Sequence, residues 1–231
     1  MTARFAASGV IIDLDGTLLD TAPDLVAATN AMREELGMAP LPAAQIVSYV
    51  GKGAQVLVHR ALTERSDGVA DAALYERGHH SFLAHYQREN GRSAALYPGV
   101  SEGLQAMRQM RLQLACVTNK PAAFTEPLLR QTGLRDCFSI VVSGDTYPKR
   151  KPDPMPMLQV ALSWQIAPQL IVAIGDSIND AQAARAAGMR VFAVPYGYNE
   201  GYSVDKLDVD AVVSSLEQAA GLIRRADAAI G

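Results

Sequence analysis

The chain has 231 residues, 49% of them apolar and 19% charged, which is enough to bury a full core and longer than one average domain. Its net charge of −3 excludes any general attraction to nucleic acid or anionic lipid, so an anionic ligand must be held by a local site. No window approaches the roughly 20 apolar residues of a membrane span, and Met1 to Ala7 carries Arg4 but no long apolar stretch, which argues against a signal peptide. A cytoplasmic protein, with neither nucleic acid nor membrane as partner, is the expectation. Cys116 and Cys137 lie in apolar surroundings and read as buried free thiols rather than a disulfide.

The first element is the apolar run Gly9 to Asp13, a strand that ends in Asp13-Leu14-Asp15-Gly16-Thr17. Residues i and i+2 of a strand point the same way, so Asp13 and Asp15 are expected to face one small volume. Two bare carboxylates that close repel, and each resists ionising unless a cation or a shared proton relieves it. The pair therefore points to a divalent metal. Thr21-Ala22-Pro23-Asp24 has the hydroxyl cap, early proline and first-turn acid of a helix start. Leu25, Thr29, Met32 and Leu36 recur at helical spacing until Gly37. A turn at Pro40 and Pro42 leads to more helix and to the loop Gly51-Lys52-Gly53. Two further apolar stripes follow, Ala54, Leu57, Val58, Ala61 and Leu62, then Tyr75, His79, Phe82 and Tyr86, separated by Ser66-Asp67-Gly68. Residues 19–90 thus read as nearly all helical, with no strand pattern. His59, His79, His80 and His85 all fall here and read as surface or packing residues rather than metal ligands.

After Tyr97-Pro98-Gly99 the pattern changes to short apolar runs alternating with helices. The runs are Leu112 to Val117, Ser139 to Val142, Leu170 to Ile174 and Val191 to Val194; the helices are 121–132, 153–164, 178–187 and 214–225. This rhythm predicts a Rossmann-like α/β core, a parallel five-stranded sheet with helices on both faces. An all-helical cap interrupts it after the first strand. The expected domains are a core of 1–18 and 91–231 and a cap of 19–90.

In open parallel sheets, ligands bind beyond the carboxyl ends of the strands. The first strand ends in Asp13-Leu14-Asp15, the second in Thr118-Asn119-Lys120, and the third leads to Lys149-Arg150-Lys151-Pro152. The fourth ends in Gly175-Asp176-Ser177-Ile178-Asn179-Asp180. Each has a plain structural reading: Asp15-Gly16 as a turn, Thr118-Asn119 as ordinary loop, Ser177 and Asp180 as a capping box, Lys149 to Lys151 as a solvated basic patch. Their coincidence at one edge of one sheet defeats those readings taken singly. Acids suit Mg²⁺, and a hydroxyl and a lysine suit phosphate oxygens.

In this order, Asp13-Leu14-Asp15-Gly16-Thr17, Thr118, Lys151 before Pro152, and Gly175-Asp176 with Asp180 resemble the haloacid dehalogenase superfamily. The resemblance spans the whole chain, helical cap included. More narrowly, Tyr49-Val50-Gly51-Lys52-Gly53, Val117-Thr118-Asn119-Lys120-Pro121, Gly175-Asp176-Ser177 and Tyr196-Gly197-Tyr198-Asn199 resemble the bacterial phosphoglycolate phosphatases. One departure is Asp153-Pro154-Met155-Pro156, where that subfamily often has histidine then aspartate between the prolines.

The resemblance implies a phosphatase working through an aspartyl-phosphate. Asp13 is then the nucleophile, and Asp15 protonates the leaving alkoxide before activating water. Thr118, Asn119 and Lys151 bind the phosphoryl group or the substrate around it. Mg²⁺ is held by Asp13, the Asp15 backbone carbonyl and Asp176, with Asp180 behind them, acting through a water or orienting Lys151. Asp15 and Asp176 argue against carbon–halogen cleavage, since halide leaves unprotonated and needs no metal. The cap suits a small phosphorylated metabolite, and Gly51 with Lys52 is expected to face the site and bind a substrate carboxylate such as that of 2-phosphoglycolate. A monomer or homodimer fits equally. Another capped phosphatase acting on sugar phosphates or pyrophosphate, a β-phosphoglucomutase-like enzyme, and a non-catalytic phospho-accepting domain remain as alternatives.

Overall fold

The continuous apolar runs form strands buried on both faces, as parallel sheets require. The computed structural model describes residues 5–226; Met1 to Arg4, part of the segment on which the reading against a signal peptide rested, lie outside them. Strands β1 (Gly9–Ile12), β2 (Gln113–Val117), β3 (Ile140–Val142), β4 (Ile171–Gly175), β5 (Arg190–Ala193) and β6 (Ala211–Val212) are all parallel. Their order is β3-β2-β1-β4-β5-β6. Ile12 stands level with Cys116 on one side and Ile174 on the other, so β1, β2 and β4 end together. The order reverses between β1 and β4, and the crevice at such a reversal is where α/β sheets bind ligands.

Alternate residues feed two cores. Val10, Ile12, Leu114, Cys116, Val172 and Ile174 pack on α5 (Val100–Gln109), α6 (Ala122–Gln131) and α9 (Leu216–Leu222). Ile11, Ala115, Val117, Ala173 and Val191 pack on α7 (Met155–Trp164) and α8 (Ile178–Ala186). Between β1 and β2, helices α1 (Ala22–Glu35), α2 (Ala43–Val47), α3 (Ala54–Thr63) and α4 (Ala72–Glu89) gather around Ala28, Met32, Ile46, Val58, Ala61 and Phe82. Buried Arg33 ties this cluster together, donating to the carbonyls of Ala39 and Ala61 and to Glu64. All four histidines lie on α3 and α4. No helix among the described residues is long and apolar enough to cross a membrane.

The expected elements recur with three corrections. The sheet has a sixth strand, whose two residues are too few to show a period. The helix expected over 214–225 stops at Leu222; Ile223–Arg225 runs extended and pairs in parallel with Phe5–Ala7. Residues 19–90 are not free of strand, because Leu19–Asp20 pairs antiparallel with Ala95–Leu96, the two crossings between sheet and helical cluster. Asp24 secures the same crossing from inside, accepting the N–H groups of Gly91 and Ser93 at 2.8 Å each. Cys116 is buried as expected, whereas Cys137, in a tight turn, is half-buried; both are free thiols.

Candidate active site

The sequence places a carboxylate immediately after β1 and another immediately after β4, and the register brings them side by side. Asp13 continues β1, its N–H donating to the Ile174 carbonyl at 3.0 Å. Asp176 follows Gly175, the last residue of β4, and accepts from Thr17 Oγ1 at 3.0 Å and from the Tyr198 N–H at 2.7 Å. Asp180 lies in the first turn of α8, where it forms the expected capping box with Ser177. Asp13, Asp176 and Asp180 each offer a carboxylate oxygen within 4.8 Å of the others.

Lys151 answers part of that charge. Its ammonium lies 2.8 Å from Asp13 Oδ1 and 2.6 Å from Asp180 Oδ1, and it donates to the Val117 carbonyl at 2.7 Å. Burial alone would lower its pKa, but Asp13 and then Asp180 raise it above the ordinary lysine value. One buried cation does not balance three acids. Burial and then Asp180 push Asp176 up to about 6. The same two influences, in the same order, raise Asp13 well above the ordinary carboxylate range despite Lys151. A cluster of oxygen donors short of positive charge fits a hard divalent cation such as Mg²⁺.

Asp15 takes a separate environment. The strand ends at Ile12, so the two-residue alternation does not govern it; the chain turns instead through Gly16 at φ 86°. Its Oδ1 accepts from Thr21 Oγ1 at 2.6 Å and from Lys120 Nζ at 3.0 Å. Asp13 and Asp15 nonetheless line one cavity, together with Thr118, Asn119, Lys120, Lys151 and Asp176. Leu25, Val50, Leu57, Phe82 and Tyr86 close it from the helical side. Thr118 ends the β2 run with its N–H on the Val142 carbonyl, and its hydroxyl accepts from the Lys120 N–H at 3.1 Å, leaving its own proton to donate.

The glycine loop divides. The Gly51 carbonyl accepts from Asn119 Nδ2 at 3.0 Å, and that same amide group holds the Lys151 carbonyl at 2.9 Å. Gly51 therefore joins the helical cluster to the phosphate-binding candidates. Lys52 does not enter the cavity; its half-exposed ammonium pairs with Glu200 at 3.2 Å. Buried Arg60 holds the other oxygen of Glu200 at 3.0 Å. Glu200, on a loop after β5, pairs the lysine with the carboxylate oxygen that Arg60 leaves free.

Three contributors to the site carry no distinctive mark in the sequence. Lys120 was visible only as the end of the Thr118-Asn119-Lys120 run. Tyr86 sat inside a helical stripe and read as core. Thr21 read as a helix cap, but makes no capping bond and donates to Asp15 instead.

Comparison with known proteins gives the family. The profile of the haloacid dehalogenase-like hydrolase family matches residues 10–194, from β1 to the end of the β5 run. The chain belongs to that family of hydrolases. Within it, a protein named phosphoglycolate phosphatase from Nitrosospira multiformis is 55% identical over 216 residues, covering 94% of this chain and 95% of that protein. One of the same name from Thiobacillus denitrificans is 50% identical, covering 94% and 96%. A crystal structure of a predicted phosphoglycolate phosphatase from Haemophilus somnus superposes with a TM-score of 0.88 at 28% identity, covering 94% of this chain and 97% of that one. The chain is accordingly a phosphoric monoester hydrolase of the phosphoglycolate phosphatase-like type.

Proposed function

We propose that this hydrolase converts 2-phosphoglycolate to glycolate and phosphate in two displacements, with Asp13 as nucleophile and Mg²⁺ as cofactor. The observation that carries the reading is the convergence of Asp13, Lys151 and Asp176 at the sheet's reversal, with Asp15 apart from them on the same cavity. The substrate reading rests on the shared name of the relatives.

Asp13, Asp176 and the Asp15 carbonyl would hold the metal, which when bound offsets repulsion between the carboxylates and the phosphoryl oxygens. Asp13 attacks phosphorus and carries the phosphoryl group as an aspartyl-phosphate. Lys151 and the Thr118 hydroxyl hold phosphoryl oxygens as charge redistributes, and Asp180 keeps Lys151 in place. Asp15 gives its proton to the departing glycolate oxygen, then, ionised, takes one from the water that cleaves the intermediate. Residues 19–90 act as a cap that excludes water, on a core of 1–18 and 91–231; their own apolar cluster, to which the core adds Phe124 and Tyr198, supports this division.

A panel of small phosphate esters with Mg²⁺, using Asp13→Asn as blank, tests the reading. Phosphoglycolate should rank first, and EDTA should abolish turnover. A sugar phosphate ranking higher removes the substrate and leaves the chemistry.

A further inference from the structure

We infer that Lys120 is the cation that binds the substrate carboxylate, and so selects a short, carboxylate-bearing phosphate ester over an uncharged one. This rests on the phosphatase reading above. Of the two lysines that line the cavity, Lys151 has three oxygens within 2.8 Å, those of Asp13, Asp180 and the Val117 carbonyl. Lys120 does not. Its Nζ meets Asp15 Oδ1 and the Tyr86 hydroxyl, and an ammonium has three protons. The third has no acceptor among the described residues, although the side chain is only 3% exposed. A buried cation beside an open cavity with a donor to spare is a built site for an anion.

Orienting Asp15 does not explain it. Thr21 Oγ1 already donates to the same oxygen of Asp15 at 2.6 Å, so a neutral partner is in place. Burial raises the Tyr86 phenol to about 12 even with Lys120 beside it, so Tyr86 stays neutral and leaves Asp15 as the acid that offsets the ammonium. The position also suits the ligand. Asp15 faces the oxygen that leaves phosphorus, and in a glycolate ester the carboxylate carbon is two bonds from that oxygen. A cation 3.0 Å from Asp15 therefore stands where the carboxylate arrives. Leu57 and Phe82 line part of the wall and offer no hydrogen bonds there.

The test compares kcat/KM for 2-phosphoglycolate and for 2-hydroxyethyl phosphate, which replaces the carboxylate with a neutral hydroxymethyl group. Loss of an Asp15 partner slows both esters, so the readout is their ratio. In Lys120→Met the preference for phosphoglycolate should fall about 10- to 100-fold, the worth of one charge-assisted hydrogen bond. Lys120→Gln, which keeps donors for Asp15 and Tyr86 and serves if the methionine variant does not fold, should show the same fall. Lys120→Arg should retain most of the preference. A preference unchanged in both neutral variants overturns the assignment of Lys120 alone. A wild-type enzyme without the preference overturns the substrate reading itself, and this inference with it.

Discussion

The backbone N–H of Tyr198 donates to Asp176 at 2.7 Å, and the hydroxyl of the same tyrosine accepts the N–H groups of Thr21 and Ala22 at 2.7 and 2.8 Å. One residue thus joins a candidate metal ligand to the start of α1, where the chain enters the helical cluster. Its hydroxyl also donates to Asp20 at 2.9 Å, and burial keeps it a neutral phenol, far above the ordinary tyrosine range. Tyr198→Phe leaves the Thr21 N–H without its acceptor and should cost about 1–3 kcal/mol, a loss of several degrees in Tm. Because the amide, not the ring, holds Asp176, Mg²⁺ affinity measured by titration calorimetry should stay within a few-fold. A tenfold loss of affinity at unchanged Tm would contradict this separation.

The crowding of acids predicts how stability follows pH. Asp176 has an ordinary pKa of 3.8 and is pushed up to about 6, chiefly by burial and then by Asp180. A carboxyl raised in the folded state binds more protons there than in the unfolded chain, so its contribution is complete below about 4 and lost as pH rises through 6. Without metal, the protein should melt a few degrees higher at pH 5 than at pH 7, and Asp176→Asn should shrink that difference. Added Mg²⁺ should raise Tm more at pH 7 than at pH 5, where protons compete for the same oxygens. Melting curves in EDTA and in Mg²⁺ at both pH values check this. A metal increment larger at pH 5 would sink it.

The sheet, the helical insertion and the strand-end residues were legible because each leaves a local mark. A continuous apolar run such as Ile171–Gly175 announces a buried strand, and the polar residues ending several runs announce the ligand edge. What escaped depended on long-range contacts. Nothing near Lys52 in the chain indicates that Glu200, 148 positions on, takes its ammonium. Nothing near Tyr86 indicates that its hydroxyl meets Lys120. The role of Thr21 was missed for a different reason: a capping hydroxyl and one donating to Asp15 look alike in sequence.

Gly16 and Gly37 make a controlled pair. Both have positive φ, 86° and 73°, so alanine is strained at either and costs about 1 kcal/mol or more. At Gly37 a methyl group meets nothing within 4 Å, whereas at Gly16 it comes within 2.6 Å of Asp176 Oδ2. Gly37→Ala should lower Tm and leave Mg²⁺ affinity intact. Gly16→Ala should lower Tm and also weaken Mg²⁺ at least tenfold by displacing Asp176. Equal metal affinities in the two variants would remove Asp176 from the metal site.

Separating the roles of Asp13 and Asp15 predicts a transient. In Asp15→Asn the proposed nucleophile, Asp13, stays paired with Lys151, but no carboxyl remains to move protons on the leaving-group side. p-Nitrophenolate leaves without protonation, so phosphoryl transfer to Asp13 should proceed and release about one equivalent of p-nitrophenol per site. Hydrolysis of the aspartyl-phosphate still requires a base, so turnover after the burst should fall by about 10²- to 10⁴-fold. Glycolate is a poorer leaving group and needs its proton from Asp15, so phosphoglycolate should give no burst. Rapid-quench measurements with both esters read these amplitudes. A variant with no p-nitrophenol burst but an equally large steady-state loss would mean that Asp15 supports attack by Asp13, and that the division of labour between the two carboxylates is wrong.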